Sequence, residues 1–301
     1  MSQIVSVSPH CHAKISTQAI MRDVLIALCP ALIAGVINFG WRALLVTAVC
    51  AAACVFFEWG FEKLCDKMST ISDLSAAVSG VLLAYNLPAS IPLWQAVFGA
   101  LVAMVAVKGL FGGIGKNFAN PAIVARIVLF LAFSSSMTAW VYPDAVSSAT
   151  PLAMLAKGES VDYLTLLLGR HGGCIGETCA LALLLGFAYL LVRRVITWQA
   201  PVCFVGTVFL LSLLLGQNAL AQVLSGGLLL GAIFMATDYS TSPCTAWGKA
   251  LFGIGAGLLT VLIRFYGSYA EGVSFAILFM NILTPYLTKW TRTKPLGGAK
   301  A

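Results

Sequence analysis

The chain has 301 residues, 60% of them hydrophobic and only 10% charged, with a mean hydropathy of +0.94. Soluble domains hold roughly 45–50% apolar and ~25% charged residues, so this composition excludes a free soluble globule and indicates an integral membrane protein. The formal net charge of +7 lies mostly beside apolar segments, where insertion bias and anionic lipid account for it without any nucleic acid.

The first 20 residues are polar and include Pro9, His10, His12 and Lys14. They lack the short apolar core of a secretory leader, so the first apolar segment is expected to be the insertion signal itself. His10-Cys11-His12 reads as part of a solvated cytoplasmic segment and not as a metal site.

Five apolar segments follow, over 21–39, 43–57, 74–87, 92–107 and 121–140, and after a polar midpoint come five more, over 178–192, 201–215, 220–236, 247–263 and 273–287. Several fall short of the ~20 residues that cross a bilayer perpendicularly, so some must be half-helices or borrow flanking residues. With the N-terminus in the cytoplasm and ten alternating crossings, only Arg42, Lys157, Arg170 and Arg264 of the 18 basic residues fall outside. Arg126 lies within a segment. The seven tryptophans, at 41, 59, 94, 140, 198, 247 and 290, stand at or near segment ends, where interfacial rings belong.

The two sets of five are related. Val78-Ser79-Gly80-Val81-Leu82-Leu83 resembles Leu224-Ser225-Gly226-Gly227-Leu228-Leu229, and Ala96-Val97-Phe98-Gly99 resembles Ala250-Leu251-Phe252-Gly253. Five crossings per half is odd, so the halves insert with opposite topology. The fold class is therefore an all-α membrane protein of about ten spans in two inverted five-helix repeats. Residues 21–140 form the first repeat, 141–177 a periplasmic loop, 178–288 the second repeat and 289–301 a cytoplasmic tail.

Inverted repeats place short or broken helices at matching positions around a central site. Here these are 74–87, broken by Asn86-Leu87-Pro88, and 220–236, followed by Asp238 and Pro243. Their small residues serve either tight packing or a permeation or cofactor path. Asp73 and Asp238 sit at related points and are candidates for an ion path; Glu58, Glu177 and Glu271 lie near other segment ends. Carboxylates at such boundaries also serve as hydrated groups or helix caps.

Cysteines carry little chemistry. Cys50 and Cys54 share one helical face but would make a poor iron–sulfur site, and Cys174 and Cys179, on the outside, permit a disulfide without requiring one.

The midpoint reads Asp144-Ala145-Val146-Ser147-Ser148-Ala149-Thr150-Pro151-Leu152. Small residues flank Thr150, and Pro151 bends the chain, so its hydroxyl stands on an accessible turn open to modification. On composition alone the segment is also an ordinary polar loop.

Several motifs carry a family resemblance. Ser8-Pro9-His10-Cys11-His12 with Ile20-Met21-Arg22-Asp23-Val24-Leu25, Gly112-Gly113-Ile114-Gly115-Lys116-Asn117-Phe118-Ala119-Asn120-Pro121-Ala122, Gly172-Gly173-Cys174-Ile175-Gly176-Glu177-Thr178 and Met235-Ala236-Thr237-Asp238 occur in that order. From residue 8 to about 290 they resemble the RnfD family of the Rnf electron-transport complex, to which NqrB of the sodium-pumping NADH:quinone reductase is related. In that family the last threonine of a Ser/Thr-x-Ala-Thr motif carries FMN as a phosphoester, attached by a separate flavin transferase. The resemblance implies that Thr150, in Ser147-Ser148-Ala149-Thr150, is the acceptor, although members often have glycine where Ser148 stands. Gly172, Gly173 and Gly176 are then expected to offer backbone N–H groups to the phosphate at a helix N-terminus, or else to form a flexible entry turn.

The function so implied is that of the flavin-carrying subunit of an ion-translocating ferredoxin:NAD oxidoreductase in the cytoplasmic membrane, coupled to Na+ or H+. Its partners would be other membrane subunits, a second FMN-bearing subunit, cytoplasmic iron–sulfur and NADH-binding subunits, and the lipid bilayer. A second, noncovalent flavin such as riboflavin belongs to the same expectation. The competing readings are a secondary transporter or channel and a membrane anchor with no redox role.

Overall fold

The computed structural model describes residues 16–66, 70–113, 115–140, 150–159, 161–267 and 272–292. Ser147, Ser148, Ala149, Glu271 and the His10-Cys11-His12 segment lie outside them.

Each apolar segment coincides with a helix or a group of helices. The first half comprises α1 (Thr17–Phe39), α2 (Trp41–Leu64), α3 (Ser75–Tyr85), α4 (Leu93–Leu101), α5 (Pro121–Ala132) and the single turn α6 (Ser134–Met137). Two short helices, α7 (Pro151–Ala156) and α8 (Tyr163–Leu168), occupy the midpoint. The second half holds α9 (Ala180–Val192), α10 (Gln199–Leu214), α11 (Ala219–Leu224), α12 (Leu228–Leu230), α13 (Ala246–Tyr266) and α14 (Val273–Thr291). Among the described residues, α1, α2 and α13 are long and apolar enough to cross a membrane by themselves.

The burial pattern is that of a protein dissolved in lipid. Helix α1 turns Asp23, Ala27, Leu28, Ala31 and Gly35 inward, while Ile26, Ile33 and Ile37 face outward. The inner face is thus built of small and polar residues and the outer one of large aliphatics, the reverse of a helix packed against water. Small residues bring backbones together: a Cβ on Gly80 of α3 would lie 2.6 Å from the Ala51 Cα of α2, and one on Gly253 of α13 would lie 2.5 Å from the Ala200 carbonyl of α10. Helix α1 is also fixed to α9, with Arg193 Nη2 3.1 Å from Asp23 Oδ2.

Three interruptions depart from uniform spans. Helix α3 stops at Tyr85, as Asn86-Leu87-Pro88 predicts, because proline supplies no N–H to continue the ladder. The 220–236 segment is not one helix: Ser225 takes an extended conformation and Gly226 a left-handed one (φ 66°), separating α11 from α12. Its sequence counterpart Gly80 stays inside α3, where its service is close packing. The 121–140 segment also ends early, at Ala132. Phe133 leaves the helix (φ −133°, ψ 50°), with its ring edge-on to Trp94 and Phe98, and a serine run follows.

Helix α4 continues as a π-helix over Val102–Gly109, and α12 as another over Gly231–Met235.

Candidate functional site

Thr150 caps α7. Its Oγ1 accepts the Ala153 N–H at 3.4 Å, and Pro151 fills the first helical position, where a missing N–H costs nothing. The half-buried residue lines a small, partly open pocket walled also by His171, Gly172, Gly173, Glu177 and Gly226. Thr150 and the adjacent pair Gly172 and Gly173, candidates from two separate stretches of sequence, therefore meet.

Gly176 does not join them. The glycine-rich loop ends before α9 begins at Ala180, so it is not the N-terminus of that helix. It plugs the open end of α3 instead, with Ile175 N–H donating to Leu87 O at 3.0 Å and Gly176 N–H to Tyr85 O at 3.1 Å. Those carbonyls lack helical partners because α3 has stopped, so the loop satisfies what the break leaves exposed. Cys174 N–H goes to Glu177 Oε1 at 3.1 Å. Within the 172–176 motif, Gly172 and Gly173 are the two whose N–H groups have no acceptor among the described residues. Cys174 and Cys179 are free thiols, with no disulfide between them.

The pocket suits the phosphate end of a flavin mononucleotide. It is lined by hydroxyl-bearing Thr150 and by two glycines whose N–H groups are uncommitted, the donor and acceptor types a phosphoester needs, while Glu177 adds a carboxylate to the same wall. His171, whose Nδ1 lies 3.1 Å from the Gly172 carbonyl, is held below the usual imidazole range by burial; the carbonyls of Gly172 and Thr178 pull the other way.

Behind the pocket, Arg126 of α5 is buried within the bundle. It donates to Asn86 Oδ1 at 3.1 Å and to Ser274 Oγ at 2.9 Å, and stands 3.9 Å from Glu177 Oε2.

A second, partly open cavity is lined by Ser75, Lys108, Asn120, Phe234, Asp238 and Ser240, among others. Asp238 accepts Ser240 N–H at 3.3 Å and the Thr241 hydroxyl at 3.1 Å; burial pushes its carboxyl above the usual range, and these two bonds offset part of that. Asp73 is not brought to it. Asp73 Oδ1 accepts Ser75 N–H at 2.8 Å, which makes it a cap for the start of α3. The residue that sequence reasoning misses is Lys108, which charge counting assigns to the cytoplasmic flank. It is buried, paired with Glu58 of α2 and donating to Ser75 Oγ. Glu62, one turn on from Glu58, receives both the N–H and the hydroxyl of Thr70. The signal available in sequence is a lysine and a glutamate each facing apolar neighbours near the ends of separate segments.

The family model described as the NQR2, RnfD, RnfE family matches residues 4–297. The chain belongs to this family. Among similar proteins, the D subunit of the Na(+)-translocating ferredoxin:NAD(+) oxidoreductase complex of Acetobacterium woodii is 45% identical, the alignment covering 98% of this chain and 96% of that one. The D subunit of the Proton-translocating ferredoxin:NAD(+) oxidoreductase complex of Clostridium ljungdahlii is 39% identical over 97% of this chain and 96% of its own. The D subunit of the Ion-translocating oxidoreductase complex of Halorhodospira halophila is 36% identical over 99% and 96%. The match with each runs nearly end to end, so both the Thr150 pocket and the Asp238 cavity fall within the shared region.

Proposed function

We propose that this chain is the flavin-bearing membrane subunit of an ion-translocating ferredoxin:NAD oxidoreductase complex, carrying FMN as a phosphoester on Thr150. One observation carries the reading: Thr150 lines the same small pocket as Gly172 and Gly173, whose N–H groups have no acceptor among the described residues and are free to meet a phosphate. Bound there, FMN supplies one- and two-electron transfer. The chain holds the phosphate, keeps a neutral imidazole and a carboxylate at the pocket wall, and confines the carrier to one membrane face at high effective concentration for its partners.

The supporting architecture is ten crossings in two inverted halves, with both termini in the cytoplasm and the Thr150 side periplasmic. The halves' broken helices touch, since Asn86 Nδ2 lies 3.8 Å from Met235 Sδ. Attachment requires a flavin transferase. Electron flow requires membrane partners, a second FMN-bearing subunit and cytoplasmic iron–sulfur and NADH-binding subunits. A noncovalent second flavin such as riboflavin belongs to the same reading, and Asp238 and Lys108 at the second cavity lie on the ion route, with Asp73 in a capping role.

The test is a purified complex co-produced with a flavin transferase. A yellow chromophore that survives denaturing electrophoresis, adds one flavin nucleotide to the peptide containing Thr150, and disappears in Thr150→Val supports the reading. A bare peptide from active complex overturns it. The cavity between broken helices also favours a secondary transporter; substrate uptake by the isolated chain in vesicles, without electron transfer, would select that instead.

A further inference from the structure

Two arginines at the Thr150 end have no task inside the molecule. Of the 18 basic residues, only Arg42, Lys157, Arg170 and Arg264 fall on that side in the crossing pattern proposed above, against the bias that gathers the rest at the other face. Arg264 is engaged by the fold: its guanidinium donates to Gln222 O at 2.7 Å and to Ser225 O at 3.1 Å, closing the end of α11. Arg42 and Arg170 are exposed, and among the described residues no hydrogen bond or ion pair engages either side chain. Asp162, at the other end of α8 from Arg170, is committed to the N–H and hydroxyl of Thr165.

The fold brings these two cations to one corner. Asn38, near the end of α1, donates from Nδ2 to Gly169 O at 3.0 Å, and Gly169 ends α8 immediately before Arg170. Each arginine follows a glycine of positive φ, Gly40 (75°) and Gly169 (79°), whose N–H groups return to Val36 O and Thr165 O, both at 2.9 Å. A Cβ on Gly169 would lie 2.9 Å from Cys179 N, so the start of α9 fixes the corner as well. The surface beside it is apolar. Ile37 and Trp41 flank the α1–α2 turn, and Leu164 and Leu168 stand one turn apart on α8, all four exposed.

We propose that this corner binds an anionic phospholipid, its phosphate at Arg42 and Arg170 and its acyl chain along the apolar side chains beside them. Guanidinium groups form charge-assisted hydrogen bonds to phosphate oxygens, an exposed tryptophan suits the headgroup level of a bilayer, and a helix turning leucines outward lies in the same plane. An acidic protein would match the charges but leave four large apolar side chains without apolar cover; a phospholipid answers both from one molecule. Two cations favour a headgroup with no ammonium of its own. The site does not depend on a flavin at Thr150.

The test uses the assembled complex in phosphatidylcholine nanodiscs carrying a trace of photoreactive phosphatidylglycerol. Label should fall on the peptides holding residues 41–42 and 163–170, and should drop by about tenfold when Arg42→Gln and Arg170→Gln are combined. Lys157→Gln, on the same side but at the end of α7, should leave it unchanged, and a photoreactive phosphatidylcholine should label the same peptides several-fold less. Equal labelling by the two lipids, undiminished labelling in the double variant, or an equal drop in Lys157→Gln overturns the proposal. So does the absence of label from both peptides, which would mean that a partner protein covers the corner. Millimolar glycerol phosphate should not compete; full competition would make this a site for free anions and end the lipid reading. The double variant should melt in detergent as the wild type does, and a lowered melt would assign the arginines to the fold instead.

Discussion

Gly176 lies against the ring of Tyr85 with no room between them, since a Cβ on the glycine would come 2.2 Å from the ring. Tyr85 is itself fixed, its hydroxyl donating to Leu28 O of α1 at 2.7 Å. Gly176→Ala should therefore push the loop off the end of α3 and break its two hydrogen bonds there. The cost should be on the order of 1–3 kcal/mol, as for other overpacked cores. A lower melting temperature in detergent and reduced flavin loading on Thr150 would show it; an unaltered melt would place the loop elsewhere.

His171 predicts a pH dependence in the same loop. Burial lowers its proton affinity in the folded state, so on acidification the unfolded chain takes up a proton at the ordinary imidazole value near 6.5, before the folded chain does. This contribution to stability is present above that value and is lost as pH falls through it toward the lowered folded value. Hydrogen exchange of residues 170–178 should accelerate relative to intrinsic rates between neutral pH and pH ~5.5. His171→Gln should flatten the slope. A slope identical in the variant would assign it to another group.

Lys108 and Glu58 should behave as a unit. Removing one member of a buried pair leaves an uncompensated charge and typically costs ~3–5 kcal/mol, whereas replacing both with apolar residues is often neutral. Lys108→Met should accordingly yield little folded protein. Lys108→Met with Glu58→Met should restore yield and melting temperature, though not ion transport. Equal stability of the single and double variants would argue against the pairing.

Asp238→Asn keeps a side-chain oxygen for Ser240 or Thr241 but removes the carboxylate from the cavity. Ion uptake by the reconstituted complex should fall by roughly tenfold, equivalent to ~1.4 kcal/mol of barrier. Uptake at wild-type rates, with electron transfer also unchanged, would take Asp238 off the route.

The apolar segments are legible because a lipid solvent demands long runs that globular cores do not, and α1, α2 and α13 fall where hydropathy puts them. The break at Asn86 is legible from Pro88. The break at Gly226 is not, because Gly80 has the same local sequence and remains helical against Ala51. The glycine motif at 172–176 reads as one phosphate loop, yet its members divide: two face Thr150, and Gly176 exists for the Tyr85 ring. Nothing in linear spacing separates those duties. Lys108 escapes because charge counting treats a lysine at a segment end as hydrated, and only the fold discloses the glutamate waiting beside it.

The two π-helical stretches end at the same place. Val102–Gly109 delivers Lys108, and Gly231–Met235 delivers Phe234 and, just beyond, Asp238, to the lining of one cavity. A wide turn acts as an extra residue slipped into an α-helix, rotating everything after it by roughly 100°. Each helix can thereby keep its early portion in register with apolar neighbours while aiming its far end independently. Shortening either stretch by one residue would preserve hydropathy and length almost unchanged, and would swing an ionisable group out of the chamber into hydrocarbon.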